Sequence, residues 1–131
     1  MRVEGWESLL AGHILEAYSR PFAWGTHDCV LWCADWVRKA TGTDHAERYR
    51  GTYHTAAEAK ALLRRRKWKS PAAAADKILP TKPVALARRG DIVLHPEGPL
   101  GICHGPRSHF LTETGVLAVP TLSCVHAWGV D

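Results

Sequence analysis

The sequence contains no long hydrophobic run, and this absence limits where the protein can work. No stretch of about 18 consecutive apolar residues occurs, so we expect no membrane insertion. The first residues lack the apolar segment of a secretory signal peptide, so we expect synthesis in the cytoplasm.

Closely spaced metal ligands are also lacking. The eight histidines show no H-x3-H spacing, and the four cysteines comprise one C-x3-C pair and two isolated residues: Cys29, Cys33, Cys103 and Cys124. Zinc sites usually contain closer cysteine pairs. We therefore expect no metal and no cofactor, with a cysteine-ligated metal or cluster as a minor alternative.

Positive charge is in excess only locally. The net charge is +4 and the pI is about 9.0, but the basic residues cluster at Arg64 to Lys67 with Lys69, and at Arg88 and Arg89. No helix-turn-helix, zinc-knuckle or aromatic RNA-binding signature accompanies them, so we expect no nucleic-acid partner. Such a run is typical of a solvated helix face or a docking surface.

What is present is an ordinary globular composition. The 131 residues are 46% hydrophobic and 23% charged, which predicts one domain spanning residues 1–131. Apolar spacing and capping residues predict four helices in the first two thirds of the chain: residues 5–18, 28–40, 55–67 and 70–80. The second helix is apolar nearly all round, which indicates a central, buried position. Asp28 suits its N-cap and Gly42 its end.

The pattern changes to short apolar runs after Pro83. These runs predict strands at residues 92–94, 100–104, 109–112, 116–119 and 122–128. Helices followed by a strand meander indicate an α+β fold, in which N-terminal helices and a central buried helix pack on a C-terminal antiparallel sheet.

Cys29 is the residue that most strongly indicates chemistry. It stands in the first turn of the buried helix, directly after a loop containing Gly25. Free amides and the helix dipole at such a position stabilise a thiolate, the nucleophilic form of cysteine. Asp28 opposes this, because a neighbouring carboxylate disfavours the thiolate. The alternative is that Cys29 is a small buried hydrophobe.

Trp24-Gly25 followed by Asp28-Cys29 resembles the signature of NlpC-type, papain-like cysteine peptidases of the cell wall. Two later segments extend the resemblance in the same order: Arg89-Gly90-Asp91-Ile92-Val93-Leu94 and Leu100-Gly101-Ile102. The resemblance implies a papain-like fold in which Cys29 is the nucleophile at the start of a central helix. Trp24 and Asp28 would lie at the substrate.

A narrower resemblance covers nearly the whole chain. Its motifs are Pro21-Phe22-x-Trp24-Gly25-x-x-Asp28-Cys29, Ala34-Asp35-Trp36-Val37, Thr41-Gly42-x-Asp44, Arg50-Gly51-x-Tyr53, Ala87-Arg88-Arg89-Gly90-Asp91 and Ala127-Trp128. They are similar to a small uncharacterised phage family encoded among tail genes. This resemblance implies a tail-tip or tail-assembly component of a virion. Its partners would be other tail proteins, and peptidoglycan stem peptides would be the substrate of an active form.

The sequence departs from the peptidase pattern at the general base. NlpC-type enzymes have a histidine where this chain has Pro99, and their third polar residue falls near Leu111 or Thr112. Three other histidines are candidates for the base: His95, His109 and His27. His104 lies an odd number of residues from Pro99 on the same strand, so without a bulge we expect its side chain to point to the opposite face.

Two hypotheses therefore remain. The first is a phage tail-tip or tail-assembly protein that keeps an NlpC-type fold but has degenerate catalysis. The second is an active peptidoglycan-cleaving cysteine peptidase in which Cys29 works with a non-standard base.

Overall fold

Helices occupy the first part of the chain and strands the second, which confirms the predicted α+β class. The structure is a computed structural model that describes all of residues 1–131. The helices are α1 (Trp6–Ala17), α2 (Cys29–Thr41), α3 (Ala56–Arg65) and α4 (Pro71–Ile78). The strands are β1 (Thr81–Lys82), β2 (Ile92–Leu94), β3 (Leu100–His104), β4 (Arg107–Thr112), β5 (Gly115–Pro120) and β6 (His126–Trp128). Short 3-10 helices cover Val84–Leu86 and Thr121–Ser123.

The strands form one antiparallel sheet in the order β1-β6-β2-β3-β4-β5. The predicted strand at residues 122–128 is only partly correct, because a 3-10 turn precedes β6. Thr121 causes this turn: its hydroxyl donates to the Gly105 carbonyl at 2.6 Å, and its own carbonyl accepts from the Cys124 amide at 3.0 Å. Strand β1 was not predicted, since two residues that pair with the distant β6 leave no local pattern.

Side-chain caps start three of the helices where the sequence predicts. Asp28 accepts a hydrogen bond from the Leu31 amide, Thr55 accepts from the Glu58 amide, and Ser70 accepts from the Ala73 amide. Helix α3 ends at Arg65, two residues before its predicted end. Lys67 adopts a φ of 60°, which a continuing α-helix cannot accommodate.

Helix α2 is buried at the centre of the protein, as its composition indicates. Trp32, Trp36 and Val37 of α2 pack with Leu100 and Ile102 of β3 in the main hydrophobic cluster. The Trp36 indole nitrogen also donates to the Gly90 carbonyl at 2.8 Å, which fixes the helix to the turn before β2. A second cluster lies on the other face of the sheet: Val93, Cys103, Phe110, Cys124 and Ala127. No helix combines the length and the apolar character needed to span a bilayer.

Asp91 connects the two ends of the chain. Its side chain is 1% exposed and makes ion pairs with Arg2 at 3.0 Å and Lys82 at 2.8 Å. It also accepts hydrogen bonds from the Arg88 and Val130 amides. A buried carboxylate is stable only when its oxygens are satisfied in this way. The Gly90-Asp91 motif therefore has a structural role.

His13 is buried between α1 and α2 and is neutral. Its Nε2 donates to the Trp32 carbonyl at 2.9 Å, and its Nδ1 accepts from the Lys39 ammonium at 3.0 Å. Burial, together with the charge of Lys39, lowers the pKa of His13 from 6.5 to about 4. Protonation would remove the acceptor that Lys39 uses.

Acid should destabilise the protein through His13. Because the unfolded chain binds this proton more readily, the stability that His13 contributes is complete above pH 6.5 and is lost as the pH falls towards 4, by up to about 3 kcal/mol. His13→Gln keeps a donor and an acceptor but does not titrate, so it should flatten the decline in urea unfolding. The exposed His54→Gln is the control and should leave the decline unchanged. An unaltered decline in His13→Gln would contradict this assignment.

Candidate functional site

Cys29 is the first residue of α2 and is partly buried. The chain reaches it through the loop of residues 22–28, where Phe22 and Trp24 pack edge to face with ring centres 4.9 Å apart. A short bridge between Ala23 and His27 closes this loop. The thiol therefore has a defined position at the junction of loop and helix, as the sequence predicts.

Asp28 holds that junction together. It is 1% exposed, and its two oxygens accept hydrogen bonds from the Leu31 amide at 2.9 Å, the Gly25 amide at 2.9 Å and the Tyr53 hydroxyl at 2.6 Å. Burial and the bond to Asp28 raise the pKa of Tyr53, so its hydroxyl remains a donor. The carboxylate predicted to contact substrate thus already serves three donors within the protein.

Gly25 allows the loop to approach the segment that carries Tyr53. It has a φ of +83°, and a Cβ at this position would overlap the Tyr53 carbonyl oxygen. The Gly25 carbonyl accepts from the Gly51 amide at 2.8 Å. Only glycine meets both requirements, which are a left-handed backbone and a close backbone contact.

The Cys29 thiol is protonated at neutral pH. Burial and the neighbouring Asp28 carboxylate raise its pKa from 9.0 to about 11. The backbone amides of Val30, Leu100 and Cys29 itself lower this pKa but do not prevail. Leu100 is the first residue of β3 and follows Pro99.

The structure places the three candidate bases away from the cavity that contains Cys29, since no histidine lines it. His27 donates from Nδ1 to the Pro21 carbonyl at 3.1 Å and lines a separate cavity between α1 and α2. His95 packs on Phe110 on the far face of the sheet, with ring centres 5.3 Å apart. His109 contacts the Tyr18 hydroxyl at 3.5 Å. Burial, with the charges of His104 and Arg107, lowers the pKa of His109.

The positions expected to hold the base and its orienting group supply neither. Pro99 has no ionisable side chain, and Leu111 is buried in the main core. Thr112 bonds to Thr114 and to the Gly115 carbonyl within its own hairpin.

A cavity of about 530 Å³ adjoins Cys29 and lies between α2, α3 and the start of α4. Thirteen of its 19 lining residues are hydrophobic, and Trp24 is among them. Sequence reasoning missed most of the others, including Tyr49, Tyr53 and Trp68. Their aromatic character was the available signal, but nothing local indicated that the irregular segment 43–54 folds over the start of α2.

Three basic residues also line this cavity: Lys60, Arg64 and Lys69. From the sequence, Arg64 and Lys69 were predicted only to belong to a basic run on the surface, and Lys60 was not predicted. We name the apolar cavity and these three side chains together the Cys29 groove.

The four cysteines do not form one site. Cys29 and Cys33 lie on α2, whereas Cys103 and Cys124 lie in the cluster on the opposite face of the sheet. No group of three or more His, Cys, Asp or Glu side chains is placed to hold a metal ion. This separation contradicts a four-cysteine metal or cluster site.

Together, the fold and the site define an α+β protein with a protonated thiol at the start of its central helix, open to an apolar cavity. The chain belongs to the family described as a domain of unknown function, DUF6950, whose model matches residues 1–130. Comparison with curated proteins and with solved structures gave no match.

Replacement of Gly25 by alanine should destabilise the protein strongly. The new Cβ would meet the Tyr53 carbonyl in a strained left-handed backbone, and we expect a loss of at least about 2 kcal/mol in urea unfolding. Gly12 in α1 has open space around it, so Gly12→Ala is the matched control and should stabilise by about 0.5–1 kcal/mol. Equal effects at the two glycines would show that the contact with Tyr53 is unimportant.

The Cys29 thiol should react as a high-pKa group. We expect alkylation by iodoacetamide, followed by mass spectrometry of the peptide that contains Cys29, to have its pH midpoint at about 11. In urea the same peptide should have its midpoint near the ordinary value of 9.0. A native midpoint below that of the unfolded chain would mean that the amides outweigh burial and Asp28.

Proposed function

We propose that this protein is a tail-tip or tail-assembly component of a phage or phage-like particle, built on an NlpC-type, papain-like fold that has lost its catalysis. One observation carries the loss of catalysis: Cys29 is a protonated thiol in a cavity that no histidine lines.

The placement of Cys29 supports the papain-like assignment. The cysteine is the first residue of a buried helix that packs on an antiparallel sheet, and the Leu100 amide at the start of β3 is one of the groups that lower the pKa of its thiol. In NlpC-type enzymes the residue before this apolar-glycine-isoleucine strand is the base histidine. Pro99 holds that position in this chain.

The motif residues that carry the resemblance have structural roles in this protein. Gly25 permits the contact with Tyr53, Asp28 caps α2, and Asp91 pairs with Arg2 and Lys82. These contacts stabilise the fold whether or not the protein is catalytically active. A rigid component of an assembly needs a stable fold but does not need catalysis.

The state of the thiol supports the same proposal. With a pKa of about 11, roughly one molecule in ten thousand carries the thiolate at pH 7. An active relative would transfer the thiol proton to histidine, attack a peptide carbonyl and later protonate the leaving amine. No histidine lines the cavity of this protein to perform the two proton transfers.

A second candidate is an active cysteine peptidase with a non-standard base. The backbone amides of Cys29, Val30 and Leu100 favour it, because they lower the pKa of the thiol and such amides also suit an oxyanion. This candidate requires a base to enter the cavity when substrate binds.

Purified protein should release no more muropeptides from peptidoglycan than its Cys29→Ala variant does, with an active NlpC-type enzyme as the positive control. Virions that carry Cys29→Ala should assemble and infect normally, because loss of one sulfur costs on the order of 1 kcal/mol. Hydrolysis abolished by Cys29→Ala, or normal assembly with collapsed infectivity, would favour the peptidase.

Pro99→His tests the assignment of the base position. An imidazole there would directly precede Leu100, whose amide lowers the pKa of the Cys29 thiol, so the alkylation midpoint of Cys29 should fall by at least about one pH unit. Pro96→His adds the same group in the exposed part of the β2–β3 loop and should have no effect. An unchanged midpoint in Pro99→His would contradict the assignment.

A further inference from the structure

We propose that the Cys29 groove binds a short acidic and apolar peptide segment of a partner protein. This inference rests on the proposed function, because it gives the groove an occupant that is held and not cleaved. It also names the docking site and the chemistry of the partner.

The floor of the groove is an apolar surface that the protein only partly covers. Helix α3 contains no buried residue, although Ala59 and Leu62 contact the small cluster of Leu31, Ala46 and Tyr53. Leu63, Trp24 and Trp68 are also partly exposed there. At about 530 Å³ the cavity lies within the roughly 300–1,000 Å³ typical of ligand clefts. Apolar side chains of a ligand would gain stability by leaving water here.

The rim of the groove is positive and unpaired. Lys60, Arg64 and Lys69 are exposed, and none has a carboxylate within 4.0 Å. Asp28 is the only acidic residue that lines the groove, and its oxygens already accept from Gly25, Leu31 and Tyr53. The groove therefore presents positive charge that the protein itself does not neutralise.

The N-terminus of α4 adds to this potential. Pro71 begins α4 and lines the groove. The N-terminal end of a helix carries partial positive charge, which favours an anionic ligand. The start of α2 makes no such contribution, because the Asp28 carboxylate caps it. The basic rim and the start of α4 therefore favour an occupant that carries negative charge.

The arginines of the basic run do not all face the groove, so the docking surface is smaller than the run. The Arg66 guanidinium donates to the Tyr49 hydroxyl and lies 5.7 Å from the centre of the Trp68 ring. Arg65 does not line the Cys29 groove, whereas Arg64 does. A partner in the groove would therefore contact Arg64 but not a uniform basic face over residues 64–66.

The distribution of charge favours a peptide over a single fatty acid. Lys60 and Arg64 lie one turn apart on α3, while Lys69 lies in the turn before α4. Several separated cations around an apolar floor match a ligand that alternates carboxylates with apolar side chains. A fatty acid supplies one carboxylate only.

Fluorescence polarisation with a labelled peptide that alternates glutamate and leucine tests this inference. The wild-type protein should bind it more tightly than the matched lysine–leucine peptide, and added salt should weaken binding. The triple variant Lys60→Glu, Arg64→Glu, Lys69→Glu should weaken binding by about tenfold or more. Arg48→Glu, Arg65→Glu, Lys77→Glu carries the same charge change at exposed residues outside the groove, and should weaken it by less than about threefold.

Circular dichroism confirms that each variant is folded, and glutamine at Lys60, Arg64 and Lys69 replaces glutamate if the reversal prevents folding. Equal weakening by the two triple variants, equal binding of the lysine–leucine peptide, or binding of dodecanoate without binding of either peptide would overturn the inference. Mass spectrometry of the peptide after incubation shows whether it is cleaved, and so distinguishes a failure of the proposed loss of catalysis from a failure of the proposed binding site. Cleavage that requires Cys29, with the groove-dependent binding intact, would overturn the loss of catalysis and support the binding site.

Discussion

The buried Asp28 carboxylate is the interaction on which the site depends. It caps α2, holds the Gly25 turn and anchors Tyr53 from a segment 25 residues further along the chain. Each bond replaces a water molecule that the carboxylate lost on burial, and each fixes a different part of the structure. Without this carboxylate, the loop, the helix start and the irregular segment would have no common attachment.

The same interaction limits the chemistry of Cys29. A helix N-terminus normally favours a thiolate, but here it places the sulfur beside a buried negative charge. Burial and that charge raise the pKa of the thiol more than the nearby amides lower it. No histidine lines the cavity that contains Cys29, so no imidazolium there offsets the difference. Structural stability and nucleophilicity therefore make opposite demands on this junction.

The internally satisfied core and the unpaired positive charge of the groove are both suited to a role in recognition. Buried polar residues such as Asp28 and Asp91 fix the fold, whereas Lys60, Arg64 and Lys69 have no carboxylate partner within the chain. Unpaired charge beside partly exposed apolar surface contributes little to folding and is suited to recognition. The proposed function and the proposed peptide site both follow from this division between an internally satisfied core and an unsatisfied rim.

The sequence by itself determined the local features of this protein. Apolar periodicity and capping residues predicted all four helices, and the position of Cys29 at the start of α2 followed from Asp28 and the apolar run after it. These features depend on neighbours within one helical turn, so a linear pattern contains them. The alternation of short apolar runs likewise predicted β2 and β3, and most of β4 and β5.

Only the tertiary structure decided which distant residues share a site. Strand β1 and the shortened β6 arise from long-range pairing, and the histidines are distributed by the faces and edges of the sheet. A shift of one residue in strand register moves a side chain to the opposite face, so the sequence could not place His95 or His109. The groove also depends on the tertiary structure, because Lys60 and Tyr53 line the same cavity as Cys29 only when the chain folds back over α2.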